Sequence, residues 1–210
     1  MTILFPLFLK LEGRRCLVVG AGAIGEGKID GLLESGAEIR VVAPKATERV
    51  QRWASTGRIR WSRREFRGSD LAGCFCVVAA TTSSHLHKKI FRLARLRGVL
   101  CNVVDVPELC DFYYPAVVRR GALQIAISTA GESPALAQRL RKKLEKQFAP
   151  EYSEWVKQLG SSRRKLNATS KDAEGKKSRL HSMASEDSFR IFQREFRKGR
   201  LGTRPTTKAK

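Results

Sequence analysis

Residues 16–28 read CLVVGAGAIGEGK, and the fold turns on how this stretch is understood. A short β-branched run, Cys16 to Val19, meets Gly20-Ala21-Gly22-Ala23-Ile24-Gly25, and a helical pattern follows. Each glycine has a separate physical use in a strand–turn–helix unit. Gly20 permits the tight turn, Gly22 lets a pyrophosphate approach the backbone at the positive end of the helix, and Gly25 allows close helix–strand packing. The pattern means little alone. It means more as the first turn of an alternating series.

That alternation is present. Apolar strand-like runs at 16–20, 38–44, 74–81 and 100–105 are separated by helical patterns at 24–36, 47–57 and 83–98, with a polar, edge-like strand at 59–66. Thr47 is placed to cap the second helix, and Gly36 and Gly98 to end the first and third. Such a series predicts an α/β fold with a Rossmann-type parallel sheet and helices on both faces over 1–111. The pattern then changes. Residues 112–129 read as two strands around Arg119-Arg120-Gly121, an antiparallel hairpin, and 133–148 as a helix with Ser133 as cap and Pro134 in its first turn. Two more helices are expected, at 151–160 and 185–196, separated by a polar Ser- and Lys-rich stretch within a basic helical domain over 150–203. Residues 204–210 read as a flexible tail.

Charge narrows the partners. Lys and Arg number 41 against 20 Asp and Glu, a net charge of +21. Residues 161–210 alone hold 15 Lys plus Arg against 5 Asp plus Glu. Such a field favours polyanions: nucleic acid, an anionic membrane or a small polycarboxylate. The five cysteines are odd in number and lie mostly in apolar runs, so buried thiols in a reducing cytoplasm are expected. The apolar run ILFPLFL at 3–9 has no basic residue before it and no cleavage pattern, and no later run reaches about 18 apolar residues. A soluble, unexported protein is expected, with no membrane partner.

Two features bear on chemistry. The dinucleotide fingerprint calls for an acid near the end of the second strand to hold a ribose, yet the sequence there is RVVAPKA. Arg40 and Lys45 would suit a 2′-phosphate, so spacing leaves NAD and NADP both open. The second feature is CNVVDVPELCDFYYP at 101–115, where Asp105 ends an apolar strand. It is either a turn former or a functional acid at the carboxyl edge of the sheet.

Three segments together, FPLFLKLEGRRCLVVGAGAIGEGK, AATTSSHLHKKI and CNVVDVPELCDFYYPAVVRRGALQIAISTAGESPALAQRLRKKLE, resemble the precorrin-2 dehydrogenase family over about residues 3–150. The NVVD element with STAGESPALA is more specific than the glycine loop. The resemblance implies NAD as cofactor despite the missing acid, and oxidation of precorrin-2 to sirohydrochlorin by loss of a hydride and a proton. It places the dinucleotide loop on Gly20, Gly22, Ala23 and Ile24, the tip of the second strand on Pro44 and Lys45, and the catalytic aspartate on Asp105. It also makes 112–149 a dimerisation segment exchanged within a homodimer. One departure stands out: Gly25 and Gly27 occupy the positions of an Ala and an Arg in the family's loop. Gly27 should weaken the first helical turn by up to ~1 kcal/mol relative to Ala.

Around this frame further residues are candidates. Thr81 and Thr82 end a strand near the expected nicotinamide. Asn102 is either a ligand partner or structural. Ser128, Thr129, Gly131 and Ser133 lead into a helix N-terminus suited to a substrate carboxylate, or simply cap it. Arg119 and Arg120 could grip carboxylates from a hairpin tip. Some family members also insert ferrous iron, for which Asp105 would be the proton acceptor. His85, His87 and His181 form no ligand cluster and read as surface residues, and no metal site is expected. A competing reading is a non-enzymatic nucleotide sensor whose basic tail binds nucleic acid. Against it, Phe189, Phe192 and Phe196 recur at helical spacing, as packing residues do.

Overall fold

The protein is described as a computed structural model in which residues 3–202 are defined; the expected domain end at 203 and the tail 204–210 lie outside them. The chain divides into two compact units after Tyr114.

The first unit is a five-stranded parallel sheet in the order β3-β2-β1-β4-β5. Its strands are β1 (Arg15–Ala21), β2 (Glu38–Ala46), β3 (Arg60–Ser62), β4 (Cys76–Ala79) and β5 (Leu100–Val103). The helices are α1 (Ala23–Leu33), α2 (Glu48–Ser55) and α3 (Ser84–Arg95). Because side chains alternate along a strand, β1 serves two cores at once. Cys16 and Val18 pack with Ile29, Leu32, Val50 and Trp53 of α1 and α2; Leu17 and Val19 pack with Ile90 and Ala94 of α3. Strand order reverses between β1 and β4, so the crevice at their carboxyl ends is where an open α/β sheet binds ligands. Thr47 and Ser83 cap α2 and α3 by accepting from Val50 N and Leu86 N.

The edge strand is shorter than the expected 59–66. After Ser62 the chain turns, and Arg64 is fastened to Asp70 by paired hydrogen bonds of 2.9 and 2.6 Å. The passage to β4 then contains one 3-10 turn, Gly68–Leu71, and no α-helix. The unit boundary also falls three residues beyond the expected 111, because Asp111 and Phe112 are bonded back to β5 and Tyr114 receives Lys28.

The second unit holds the hairpin β6 (Ala116–Arg120) and β7 (Leu123–Ile127), then α4 (Pro134–Gln147), α5 (Tyr152–Thr169), α6 (Ala173–Met183) and α7 (Glu186–Gly202). The polar stretch expected to separate the two helices is itself largely helical: α5 runs on to 169 and α6 begins at an Asp172 cap that accepts from Gly175 N. With apolar side chains at only Ala173, Leu180 and Met183, α6 shows little helical periodicity in sequence. Phe189 is buried against Tyr152 and Trp155, with ring centres 4.2 and 4.6 Å away, and Phe192 and Phe196 continue the stack. The aromatic spacing in the basic tail is therefore a packing signal. Among the described residues no helix is long and apolar enough to cross a membrane.

Candidate functional site

The three glycines of the opening motif do different work. Gly20 has φ +99, and a Cβ there would lie 2.1 Å from the Ala80 carbonyl oxygen. Gly25 is equally constrained, since its Cβ would lie 2.2 Å from the Gly20 oxygen. Both therefore let main chains touch where β1, β4 and α1 converge. Around Gly22 a Cβ would meet nothing within 4 Å. Gly22 is also the N-cap of α1, with no side chain bonded to the first-turn N–H groups. Gly22, Ala23 and Ile24 are exposed. A helix N-terminus left without a cap beside open space fits a pyrophosphate.

At the end of β4, the Thr81 hydroxyl is buried without a hydrogen-bond partner. Its carbonyl accepts from Nε2 of His87 at 2.9 Å. His87 is thus buried and committed to the strand's exit, which corrects its expected place on the surface. An orphaned hydroxyl at the crevice fits a cofactor group as its partner. Thr82 is exposed beside it. The tip of β2, Pro44 and Lys45, is exposed, and Ala46 and Thr47 are tied back to Ala21. The nearest α1 acid, Glu26, accepts from the Thr47 hydroxyl at 2.6 Å and pairs with Arg49. Arg40 lies opposite Leu17 and Arg60, five residues before Lys45 and about 16 Å back along the strand, so it is not at the tip.

Asp105 stands in the turn after β5, exposed, with φ +61. That left-handed conformation is uncommon outside glycine, although Asp tolerates it better than most residues. The turn is held from several sides. Asp111 N donates to Cys101 O at 2.7 Å, and Cys101 N donates to the Asp111 carboxylate at 2.9 Å. Asn102 Nδ2 donates to Phe112 O at 2.8 Å, and the Cys110 thiol to Val103 O at 3.1 Å. Asn102 is itself buried, so its amide nitrogen is spent on this loop.

The residue missed in sequence is Lys28, one turn into α1. Its Nζ lies 3.9 Å from the centre of the Tyr114 ring. Burial lowers its pKa, while the charges of Asp105 and Cys110 act in the opposite direction. A lysine four residues after Ile24 shares that residue's helix face.

The other candidates belong to the second unit. Ser133 accepts from Leu136 N and caps α4; Thr129 Oγ1 accepts from Ser133 N, and Ser128 Oγ from Ala130 N. Each hydroxyl keeps its own proton to donate. Gly131 follows Ala130, both at positive φ. Arg120 donates to the carbonyls of Phe148, Glu145 and Arg119 at 2.7–2.9 Å, which closes the end of α4 and favours a structural role. Arg119 is exposed on the next position of β6.

Among the described residues no group of three or more His, Cys, Asp or Glu is placed to hold a metal ion. All five cysteines are free thiols, four buried and Cys110 half-buried. The Cys76 thiol donates to Cys16 Sγ at 3.4 Å.

Comparison with known proteins bears on the fold and the family. An NAD(P)-binding family model matches residues 7–116, and the central domain of sirohaem biosynthesis proteins matches 120–147. Siroheme synthase of Nitrosococcus oceani is 40% identical over 73% of the chain and 35% of its own length. Siroheme synthase 1 of Pectobacterium atrosepticum is 36% identical over 91% of the chain and 38% of its own length. The chain thus spans little more than a third of these relatives. The solved structure of SirC, a precorrin-2 dehydrogenase, superposes with a TM-score of 0.77 at 28% identity, covering 93% of this chain and 98% of that one. The chain belongs to the NAD(P)-binding family that contains siroheme synthases and the precorrin-2 dehydrogenase SirC.

Proposed function

We propose that the protein oxidises precorrin-2 to sirohydrochlorin with NAD. The observation that carries this reading is Asp105, fixed in a left-handed turn at the same sheet edge as the uncapped α1 N-terminus. NAD bound there supplies the hydride acceptor, and the chain's own residues do the rest. The N–H groups at Gly22, Ala23 and Ile24 receive the pyrophosphate. Gly20 and Gly25 bring the turn and helix close enough to shape the cradle, Pro44 and Lys45 border the ribose, and the Thr81 hydroxyl orients the reacting end. Asp105 accepts the proton that leaves the macrocycle when the hydride departs. Lys28 places a positive charge beside Asp105, where it attracts a substrate carboxylate. Asn102 acts by holding the 110–112 backbone.

Precorrin-2 carries eight carboxylates, which gives a chain of charge +21 an anionic substrate without recourse to nucleic acid. In this reading the Ser128, Thr129 and Ser133 hydroxyls, the backbone at Gly131, and Arg119 bind those carboxylates. We also propose a homodimer in which β6, β7 and α4 are exchanged. A two-stranded sheet is marginal alone, α4 buries only Ala137, and Ile3, Phe5 and Phe8 are exposed. Five free thiols suit the cytoplasm. A second reading adds insertion of ferrous iron as a substrate, with Asp105 taking the displaced protons; the siroheme synthase relatives favour it.

Anaerobic incubation of the full chain with precorrin-2 and NAD should yield one NADH per sirohydrochlorin. Folded protein that gives neither spectral change defeats the proposal. Metal-dependent conversion on adding ferrous iron tests the second reading. Salt-sensitive nucleic-acid binding with no turnover would favour the sensor instead.

A further inference from the structure

We infer that the outer face of β2 and β3 carries a binding site for a small phosphate-class oxyanion, distinct from the dinucleotide crevice. Arg40 and Arg60 are register partners on adjacent parallel strands, so both side chains stand on one face about 4.8 Å apart at their origins. Like charges side by side on a sheet repel. Among the described residues neither arginine has an acidic partner. The face they share is also the one that the β3–β4 passage leaves without a helix.

Arg64 completes the arrangement. Its guanidinium is held by both oxygens of Asp70, whose side chain is only 10% exposed and also accepts from Arg67 N at 2.8 Å. Asp70 thus accepts three hydrogen bonds and offsets one of three arginine charges. Arg40, Arg60, Arg64 and Ser62 line a cavity of about 220 Å³ together with Leu17, Val42 and Asp70, whose carboxylate is engaged by Arg64. Pockets for drug-sized ligands start near 300 Å³, so this one suits an ion or a single phosphate-bearing group rather than a whole nucleotide. Guanidinium forks match the paired oxygens of a phosphate, and a bound dianion would relieve the Arg40–Arg60 repulsion.

The test is calorimetric titration of the full chain at constant ionic strength with inorganic phosphate and with phenyl phosphate, each repeated in saturating NAD. We expect saturable one-site binding that NAD leaves unchanged and that weakens at least tenfold in Arg60→Gln. Phosphate alone binding identifies a free-ion site; phenyl phosphate binding equally or more tightly identifies the phosphate of a larger molecule. Arg60 lies on an edge strand, and the variant's melting temperature without phosphate should equal or exceed that of the parent. Phosphate should raise the parent's melting temperature but not the variant's. No saturable binding of either probe, competition by NAD, or binding untouched by Arg60→Gln and Arg40→Gln overturns the inference.

Discussion

The ammonium of Lys28 rests 3.9 Å from the centre of the Tyr114 ring, which joins helix α1 to the segment that follows the Asp105 loop. A cation on a ring face is attracted by about 0.5–2 kcal/mol, more as it is desolvated. Lys28→Met should lower kcat/KM for precorrin-2 oxidation about 10- to 100-fold with NAD affinity unchanged. Burial lowers the Lys28 pKa, so its proton leaves at a lower pH than from an ordinary lysine. Activity that needs this charge should fall on the alkaline side, before pH 10.4, and Lys28→Arg should move that limb upward. A parent profile flat to pH 10.4 would remove Lys28 from the reaction.

Asp105 can be tested as acid and as turn former in one experiment. Asp105→Gly relieves a left-handed residue, so it should hold or raise stability by up to ~1 kcal/mol, while activity falls at least 100-fold. Asp105→Asn should lose activity similarly without destabilising the chain. Loss of stability with activity retained would make it a turn residue only.

Gly20 and Gly22 should separate folding from binding. Gly20→Ala forces a Cβ against Ala80 O from a positive φ, and should cost about 2–4 kcal/mol in denaturant titration. Gly22→Ala meets no neighbour, so the protein should fold normally and bind NAD more weakly. Equal stability losses for both would contradict the cradle.

The thiols give a chemical check on the core. Burial pushes Cys101 up to about 12, and Cys74 and Cys110 also rise, with burial the leading cause. At pH 8 a disulfide reagent should modify at most Cys110, slowly, in the native chain and all five cysteines after unfolding. Rapid loss of more than one native thiol would mean that the cores are open.

Acid stability should report on the edge strand. The Arg64 guanidinium bonded to Asp70 holds that carboxyl below its ordinary value, aided by Arg67 N. The folded pKa lies below the unfolded one, so this contribution is complete above about pH 4 and disappears as pH falls through the folded value. Asp70→Asn should therefore lower stability at pH 7 and flatten its decline below pH 4. An unchanged acid limb would show that the pair contributes nothing.

Local chemistry made much of this molecule legible from sequence alone. Glycine spacing after a β-branched run announced the first turn, strand–helix alternation announced a parallel sheet, and the resemblance in 101–145 pointed to Asp105. These signals survive in one dimension because turn sterics, capping and periodicity act between residues close in the chain. Helix α6 escaped because it lacks an apolar stripe, and the short β3 because Arg64 leaves the sheet for Asp70. Tertiary structure alone decided what arises between distant segments. Gly20 and Gly25 press on main chain while Gly22 stays open, Asn102 holds a loop, Lys28 reaches Tyr114, and Arg40 meets Arg60 on a bare sheet face. Burial, register and charge pairing depend on which strands lie side by side, and no local pattern encodes that placement.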